Sequence, residues 1–289
     1  MRINGRTRLC GLIGNPVEHT LSPIIHNTLA EQFRDNLVYV PFPVENVELE
    51  DAIKGAFALN CLGINVTVPY KEKVMEFLSE TDELAKHIGA VNTLVRTNRG
   101  FKGYNTDMPG LYRALCSEGI QIEKEEVILL GAGGAARAVA FLCATKQVPR
   151  VYLLNRSIDK ANEVAEEVNQ TVGRQCIIPM TLQDYQTLPD QKYLAIQATS
   201  VGLYPDADRA VIQDEQFYRK IHTGFDLIYR PETTLFMKLV RQQGGQVYNG
   251  LKMLLYQGII AYELWNQVSV SEEMALKIYE TLKKEMDIQ

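Results

Sequence analysis

The chain lacks the features that would put it on a nucleic acid, in a membrane or around a metal. Its 30 lysines and arginines stand against 35 acidic residues, a net charge of −5, and they form no basic block or stripe, so a nucleic-acid partner is not expected. The five cysteines, Cys10, Cys61, Cys116, Cys143 and Cys176, are odd in number and scattered, without C-x-x-C spacing. They read as small core residues in a reducing compartment. Cysteine and histidine nowhere meet at metal-ligand spacing, so no metal is expected. Long apolar runs are missing too. The run at residues 9–13 stops at Gly14-Asn15-Pro16, too short for a signal-peptide core. The stretch 251–265 is interrupted by Lys252, Gln257 and Glu263, which fits a buried helix rather than a membrane span. These absences point to a cytoplasmic protein, and its length of 289 residues suggests about two domains.

What is present begins with a strand pattern at 126–130 that runs into Gly131-Ala132-Gly133-Gly134-Ala135-Ala136 and then an Ala-rich helix. Gly131, Gly133 and Ala136 fit the G-x-G-x-x-G/A spacing of a dinucleotide-binding turn. There the first glycine makes the turn, the second admits a pyrophosphate, and the third small residue packs helix on strand at an anion-attracting helix N-terminus. The bland alternative is a glycine turn used for packing alone. One further absence sets the cofactor. About 20 residues past the glycines, where an NAD site carries Asp or Glu for the ribose 2′-hydroxyl, the chain reads Asn155-Arg156-Ser157. A guanidinium pairs with a 2′-phosphate that a carboxylate would repel, so the cofactor expected is NADP(H). The competing reading makes Arg156 a solvated charge and Ser157 only a helix N-cap.

Strand and helix patterns alternate along most of the chain, which implies an α/β fold with mostly parallel, covered sheets. The first zone is read as strands at 8–13, 37–41, 63–68 and 90–96, helices at 22–34 and 46–58, a helix from about residue 71 and another at 81–89, and a hairpin turn at 98–100. The second zone adds strands at 126–130, 150–154, 174–179, 193–198, 224–228 and 246–248. Helices at 251–267 and 271–286 close the chain. The expected organisation is a Rossmann-type NADP domain at 108–249 facing a first α/β zone at 1–107 across an active-site cleft, with one option being that the helical tail at 250–289 returns to residues 1–107 to give a discontinuous substrate domain. Periodicity alone does not say where the final helices pack.

Two residues stand out as carriers of chemistry. Lys71 follows Asn65-Val66-Thr67-Val68-Pro69-Tyr70 at the expected start of a helix. A cation in that first turn opposes the macrodipole at a cost of about 0.3–1 kcal/mol, a field that favours the neutral amine. Such a lysine can exchange a proton with an alcohol oxygen during hydride transfer; otherwise it is a solvated neighbour of Lys73. Asp107, in Asn105-Thr106-Asp107-Met108-Pro109, reads either as an N-cap before a helix with proline in its first turn or as the partner of Lys71. Around them Thr20, Ser22, Asn65, Thr67, Asn92 and Gln257 supply hydroxyls and amides without a carboxylate-rich patch, a composition suited to a polyhydroxylated substrate.

The motifs Gly14-Asn15-Pro16, Leu21-Ser22-Pro23, Asn65 to Lys71, Gly89-Ala90-Val91-Asn92-Thr93, Asn105-Thr106-Asp107, Gly131 to Arg137, Asn155-Arg156-Ser157, Ala198-Thr199-Ser200-Val201-Gly202, Asp226 to Pro231 and Gln257-Gly258, taken in order, resemble the shikimate dehydrogenase family over nearly the whole chain. The resemblance implies NADPH-dependent, reversible reduction of 3-dehydroshikimate to shikimate on the route to chorismate and the aromatic amino acids. It implies Lys71 and Asp107 as the catalytic pair, and Thr20, Ser22, Asn65, Thr67, Asn92, Tyr229 and Gln257 as substrate contacts. It implies cofactor contacts at Gly131, Ala132, Gly133, Gly134, Ala135, Asn155, Arg156, Ser157, Thr199 and Gly250, and C-terminal helices that return to the first domain. Three positions depart from the family pattern: Thr20 for Ser, Ser157 for Thr and Gln197 for Asn. The first leaves a quinate- or aminoshikimate-active relative open. A non-catalytic NADP-binding sensor is the rival of another class, and it would need neither Lys71 nor Asp107. For the enzyme, a small-molecule substrate and a monomer or homodimer are expected.

Overall fold

The computed structural model describes residues 3–288. The chain divides into two compact units. One runs to Leu111 and resumes at Leu254; the other is Tyr112–Met253. Among the described residues no helix is long and apolar enough to cross a membrane.

The first unit is built from β1 (Arg8–Gly14), α1 (Ser22–Gln32), β2 (Leu37–Pro43), α2 (Leu49–Ala58), β3 (Gly63–Val66), β4 (Glu80–Thr81), α3 (Glu83–Ile88), β5 (Thr93–Arg96), β6 (Phe101–Tyr104) and the start of α4 (Asp107–Ser117). Its sheet has the order β2-β1-β3-β5-β6-β4. β2, β1 and β3 run parallel, while β3, β5 and β6 are antiparallel neighbours. The antiparallel part follows from the tight turn expected at 98–100: Thr97 donates its N–H to the Gly100 carbonyl at 2.8 Å, and Gly100 takes φ +147°, which favours glycine.

Local differences from the sequence pattern have local causes. The helix expected at 46–58 begins with a 3₁₀ turn at Asn46–Glu48 before the amphipathic α2. The helix expected from residue 71 is a 3₁₀ helix at Lys73–Phe77, and Lys71 lies in the turn ahead of it. α3 starts two residues later than its apolar pattern suggests, because Asp82 caps it by accepting from the Leu84 N–H. The two-residue strand β4 is too short to leave any periodicity.

The second unit contains β7 (Glu126–Leu130), α5 (Gly134–Thr145), β8 (Arg150–Asn155), α6 (Ile158–Val172), β9 (Ile177–Thr181), β10 (Tyr193–Gln197), α7 (Glu215–Tyr218), β11 (Ile221–Asp226), α8 (Leu235–Gln242) and β12 (Gln246–Tyr248). All six strands are parallel, in the order β12-β11-β10-β7-β8-β9. Strands β7, β8 and β9 step one way from the first strand, and β10, β11 and β12 the other. This is the doubly wound arrangement whose crevice lies at the carboxyl ends of the strands where the order reverses. Covered on both faces, β7, β8 and β10 are almost continuously buried, as parallel strands require.

The chain ends in α9 (Leu251–Asn266) and α10 (Glu272–Ile288), whose residues from Leu254 belong to the first unit. Trp265 fixes α9 there. Its indole N–H donates to the Leu94 carbonyl at 2.9 Å, and a Cβ on Gly63 would lie only 1.9 Å from its ring nitrogen. Beside it His26 stacks on Tyr39 with ring centroids 4.2 Å apart. Burial pushes the His26 imidazole down to about 3, so it serves as a neutral aromatic plate.

Candidate active site

The first unit gathers most of its predicted polar residues at one centre. Lys71 Nζ lies 2.7 Å from Asp107 Oδ2, with both side chains partly exposed. Asp107 is the first residue of α4 rather than its cap. The capping is done by Asn105, whose Oδ1 accepts from the N–H groups of Asp107 at 3.1 Å and Met108 at 3.2 Å. That exchange of roles frees the Asp107 carboxylate. Its second oxygen accepts from the Asn92 amide at 2.9 Å. The expected macrodipole effect does not apply to Lys71, which lies in the turn ahead of the 3₁₀ helix with the Asp107 carboxylate against its amine.

Asn92 is held so that it can face only one way. The Thr106 N–H donates to its Oδ1 at 2.7 Å, which aims the NH₂ group at Asp107, Thr106 Oγ1 and, at 3.5 Å, Gln257 Oε1. Thr93 closes the network with contacts to Asn92 and Thr106. Asn65, on the neighbouring strand, is nearly consumed by the protein. Its amide donates to the Asn92 carbonyl and Thr93 Oγ1, and its oxygen accepts from the Tyr39 phenol at 2.8 Å. Its geometry is that of a support for Asn92.

Gln257 reaches this centre because α4 and α9 touch through a glycine. A Cβ on Gly110 would lie 2.7 Å from the Gln257 backbone nitrogen. Thr20 and Thr67 lie on the loops that follow β1 and β3, and Ser22 is the first residue of α1. The Ser22 N–H donates to Thr20 Oγ1 at 3.3 Å. A Cβ on Gly14 would meet the Thr67 methyl at 2.2 Å, so Gly14-Asn15-Pro16 and Asn65-Val66-Thr67 are packed against each other. The sequence reading missed Thr106, Thr93 and Gly110. Two threonines inside recognised motifs, each beside an asparagine, and a glycine inside a helix carry no separate signal until their partners are seen.

In the second unit a cavity of about 560 Å³ is lined by Gly131, Ala132, Gly133, Gly134, Ala135, Asn155, Arg156, Ser157, Thr199, Leu227 and Ile228, among others. Gly131 takes φ +112°, and a Cβ there would crowd Thr199 Cγ2 at 2.8 Å. Gly133 and Gly134 are exposed and face open space. Gly133 is the N-cap of α5 and offers no side chain to the helix's free N–H groups. Room for a pyrophosphate and unclaimed N–H donors at a helix N-terminus are what a dinucleotide needs. At the other side of the cavity Arg156 is exposed, and Ser157 caps α6 by accepting from the Lys160 N–H. The residues present therefore fit NADP(H).

Two predicted residues sit apart from these clusters. Gly250 does not line the cavity. A Cβ on it would lie 2.0 Å from the Leu227 carbonyl oxygen, so it is a close-packing glycine behind the wall. Tyr229 belongs to the second unit, just past β11, and burial raises its phenol above the ordinary value.

Comparison with known proteins gives a consistent result. The family model described as "Shikimate dehydrogenase substrate binding domain" matches residues 12–94, and that described as "Shikimate / quinate 5-dehydrogenase" matches residues 114–213. A shikimate dehydrogenase (NADP(+)) of Desulforamulus reducens is 43% identical over 266 residues, 91% of each chain. Among solved structures, a shikimate dehydrogenase in complex with NADP+ is similar with a TM-score of 0.88 at 34% identity, covering 99% of this chain and 98% of that one. The shikimate 5-dehydrogenase of Thermus thermophilus in complex with NADP(H) and shikimate is similar with a TM-score of 0.83 at 30% identity, covering 95% and 99%.

Proposed function

This chain belongs to the shikimate dehydrogenase family, and we propose that it catalyses the reversible, NADPH-dependent reduction of 3-dehydroshikimate to shikimate on the way to chorismate and the aromatic amino acids. The observation that carries the reading is the Lys71–Asp107 pair at 2.7 Å, locked from the other side by Asn92.

NADPH, when bound, supplies the hydride. The remaining chemistry is a proton and a charge. Reduction of a ketone builds negative charge on its oxygen, and Lys71 is placed to donate a hydrogen bond or proton to that oxygen. Asp107 accepts from the substrate hydroxyl and holds the amine in place, the two acting as one coupled proton-handling pair. Asn92 fixes the carboxylate, so the pair is oriented before substrate arrives. Thr20 and Ser22 take the substrate carboxylate, while Thr67, Gln257 and Tyr229 contact its hydroxyls and Asn65 supports from behind. Gly131 to Ala135 hold the pyrophosphate, Asn155, Arg156 and Ser157 the 2′-phosphate, and Thr199 the far wall of the cofactor site. The same reading carries a cytoplasmic location and a monomer or homodimer.

The test is the absorbance of the reduced nicotinamide with shikimate or quinate offered against NADP+ or NAD+. Turnover confined largely to shikimate with NADP+ is expected. Preference for quinate would move the protein to the other branch of its family and make the Thr20 methyl the feature to remove. Binding of NADP+ without turnover of either acid would overturn the enzymatic reading in favour of a sensor.

A further inference from the structure

In the second unit the cofactor cavity has two kinds of wall. On the β7–β8 side it is made by the glycine turn and by residues 155–157. On the β10–β11 side it is made by two short loops, 199–200 with Leu203 and 227–228. Those loops are irregular, and buried side chains hold them.

Gln197, the last residue of β10, is 1% exposed. Its Oε1 accepts from the Thr199 N–H at 2.8 Å and the Thr199 hydroxyl at 2.7 Å, and its Nε2 donates to the Val201 carbonyl at 2.9 Å. Its own carbonyl accepts from the Leu227 N–H. Directly opposite in register stands Asp226, the last residue of β11, fully buried. Its carboxylate accepts from the Ile228 N–H at 3.0 Å, from the Thr234 hydroxyl at 2.6 Å and from the Gln197 amide. Thr234 in turn caps α8 by accepting from the Met237 N–H. One buried carboxylate and one buried amide thus tie together both loops and the start of a helix. Burying a carboxylate is costly, and here the hydrogen bonds from Ile228, Thr234 and Gln197 offset part of that cost.

We propose that Gln197 and Asp226 are positioning residues that lock the 199–201 and 227–228 loops in the place that receives the nicotinamide half of NADP(H). The assignment to that half follows from the strand order. A dinucleotide crosses the glycine turn where the sheet reverses, so its two nucleosides lie on opposite sides of β7. Arg156 and Ser157, on the β8 side, face the 2′-phosphate half. The β10 and β11 loops are left with the other. Thr199 also abuts Gly131, so any slip of its loop reaches the phosphate turn. The proposal rests on the NADP(H) reading above.

The test is calorimetric titration of Gln197→Met, similar in volume and without polar atoms, with two ligands: NADP+, and adenosine 2′,5′-bisphosphate, which lacks the nicotinamide half. Binding of NADP+ is expected to weaken about tenfold, the scale of one or two lost buried hydrogen bonds. Adenosine 2′,5′-bisphosphate should bind within about twofold of the parent, and Gln197→Asn, which keeps an amide, should recover most of the loss. Should Gln197→Met fail to fold, Thr234→Val removes one partner of Asp226 and should give the same split with a loss of about threefold. Unchanged NADP+ binding in a folded variant, or equal losses for both ligands, overturns the proposal. Failure of the functional reading looks different: the parent protein would bind NADP+ and not oxidise shikimate, or would bind neither ligand.

Discussion

The polar centre of the first unit and the dinucleotide cavity of the second solve different problems with different materials. In the first, side chains hold side chains: Asp107 is gripped by Lys71 and Asn92, and Asn92 by Thr106, Thr93 and Asn65. In the second, the surface offered at the glycine turn is backbone. Gly133 and Gly134 are bare and exposed, and side chains fix only the flanking loops, Asn155 and Ser157 on one side and Gln197 and Asp226 on the other. Proton transfer tolerates little misplacement, so its groups need rigid neighbours. A pyrophosphate needs close approach and aligned N–H groups, which side chains would only obstruct. The lesson is that substitutions in the first unit should strike turnover, and those in the second should strike cofactor affinity.

The sharpest way to break that contrast is Lys71→Ala. Turnover should fall by about 10²–10⁴, the usual worth of a positioned acid or base, while KM for NADP+ stays near its starting value. The thermal midpoint should hardly move, because a partly exposed ion pair contributes little to stability. Normal turnover in a folded Lys71→Ala protein would remove Lys71 from the chemistry.

Asp226 sharpens the comparison through pH. Burial raises its carboxyl from 3.8 to about 6, against hydrogen bonds from Thr234, Ile228 and Gln197 that lower it. The Tyr218 phenol interacts with it and is itself raised, mainly by burial. The folded state therefore holds the Asp226 proton more tightly than the unfolded state does. The resulting stability is fully present below about pH 4 and is lost as the pH rises through about 6. The total is about 3 kcal/mol. Denaturant titrations of the parent and Asp226→Asn across pH 4 to 7.5 should show the parent losing ground to the variant by up to that amount. A constant difference would mean that Asp226 titrates normally.

Arg156→Ala tests the other end of the cavity. Loss of a charge-assisted contact to a phosphate costs about 1.5–3 kcal/mol, so KM for NADP+ should rise about 10- to 100-fold while KM for NAD+ changes little. An equal rise for both cofactors would make Arg156 a general charge.

Legibility differed in the same way between the two regions. The glycine turn and Asn155-Arg156-Ser157 are contiguous runs whose meaning lies in spacing, so the cavity's composition could be read before its shape was known. Lys71 and Asp107 were legible as candidates only, because the contact that joins them spans 36 residues of chain and leaves no local trace. Asp107 even looked like a helix cap, since a capping residue and a catalytic carboxylate share the same sequence context; Asn105, two positions earlier, took the capping role. The Lys71 helix was misread because five residues of 3₁₀ helix carry the same apolar pattern as the first turns of an α-helix. Gln197 was noticed only as an exchange for Asn. Its grip on Thr199, Val201 and Asp226 depends on strand register, which no single sequence displays. Gly250 entered only through the family resemblance, and the close approach of the Leu227 carbonyl, a contact distant in sequence, is what requires a glycine there.

Two glycine-to-alanine substitutions separate the materials most finely. At Gly110 the new methyl would lie 2.7 Å from backbone on α9, where nothing can yield without moving a helix. Overpacking of that kind costs about 1–3 kcal/mol, more than the gain in helix propensity of about 1 kcal/mol. The shift displaces Gln257, so both the thermal midpoint and turnover should fall. At Gly133 the new methyl meets no atom of the protein, and φ of −94° suits alanine. The poorer N-cap and the stiffer unfolded chain offset each other, so stability should stay within about 0.5 kcal/mol. The methyl would nevertheless occupy the space a pyrophosphate must enter, and NADP+ binding should weaken about tenfold. Gly110→Ala should therefore lose stability with cofactor affinity kept, and Gly133→Ala should lose affinity with stability kept. If Gly133→Ala bound NADP+ normally, the turn would be a packing glycine after all. If Gly110→Ala kept its melting point, the α4–α9 contact would be looser than its geometry requires, and Gln257 would be held by something other than the missing Cβ.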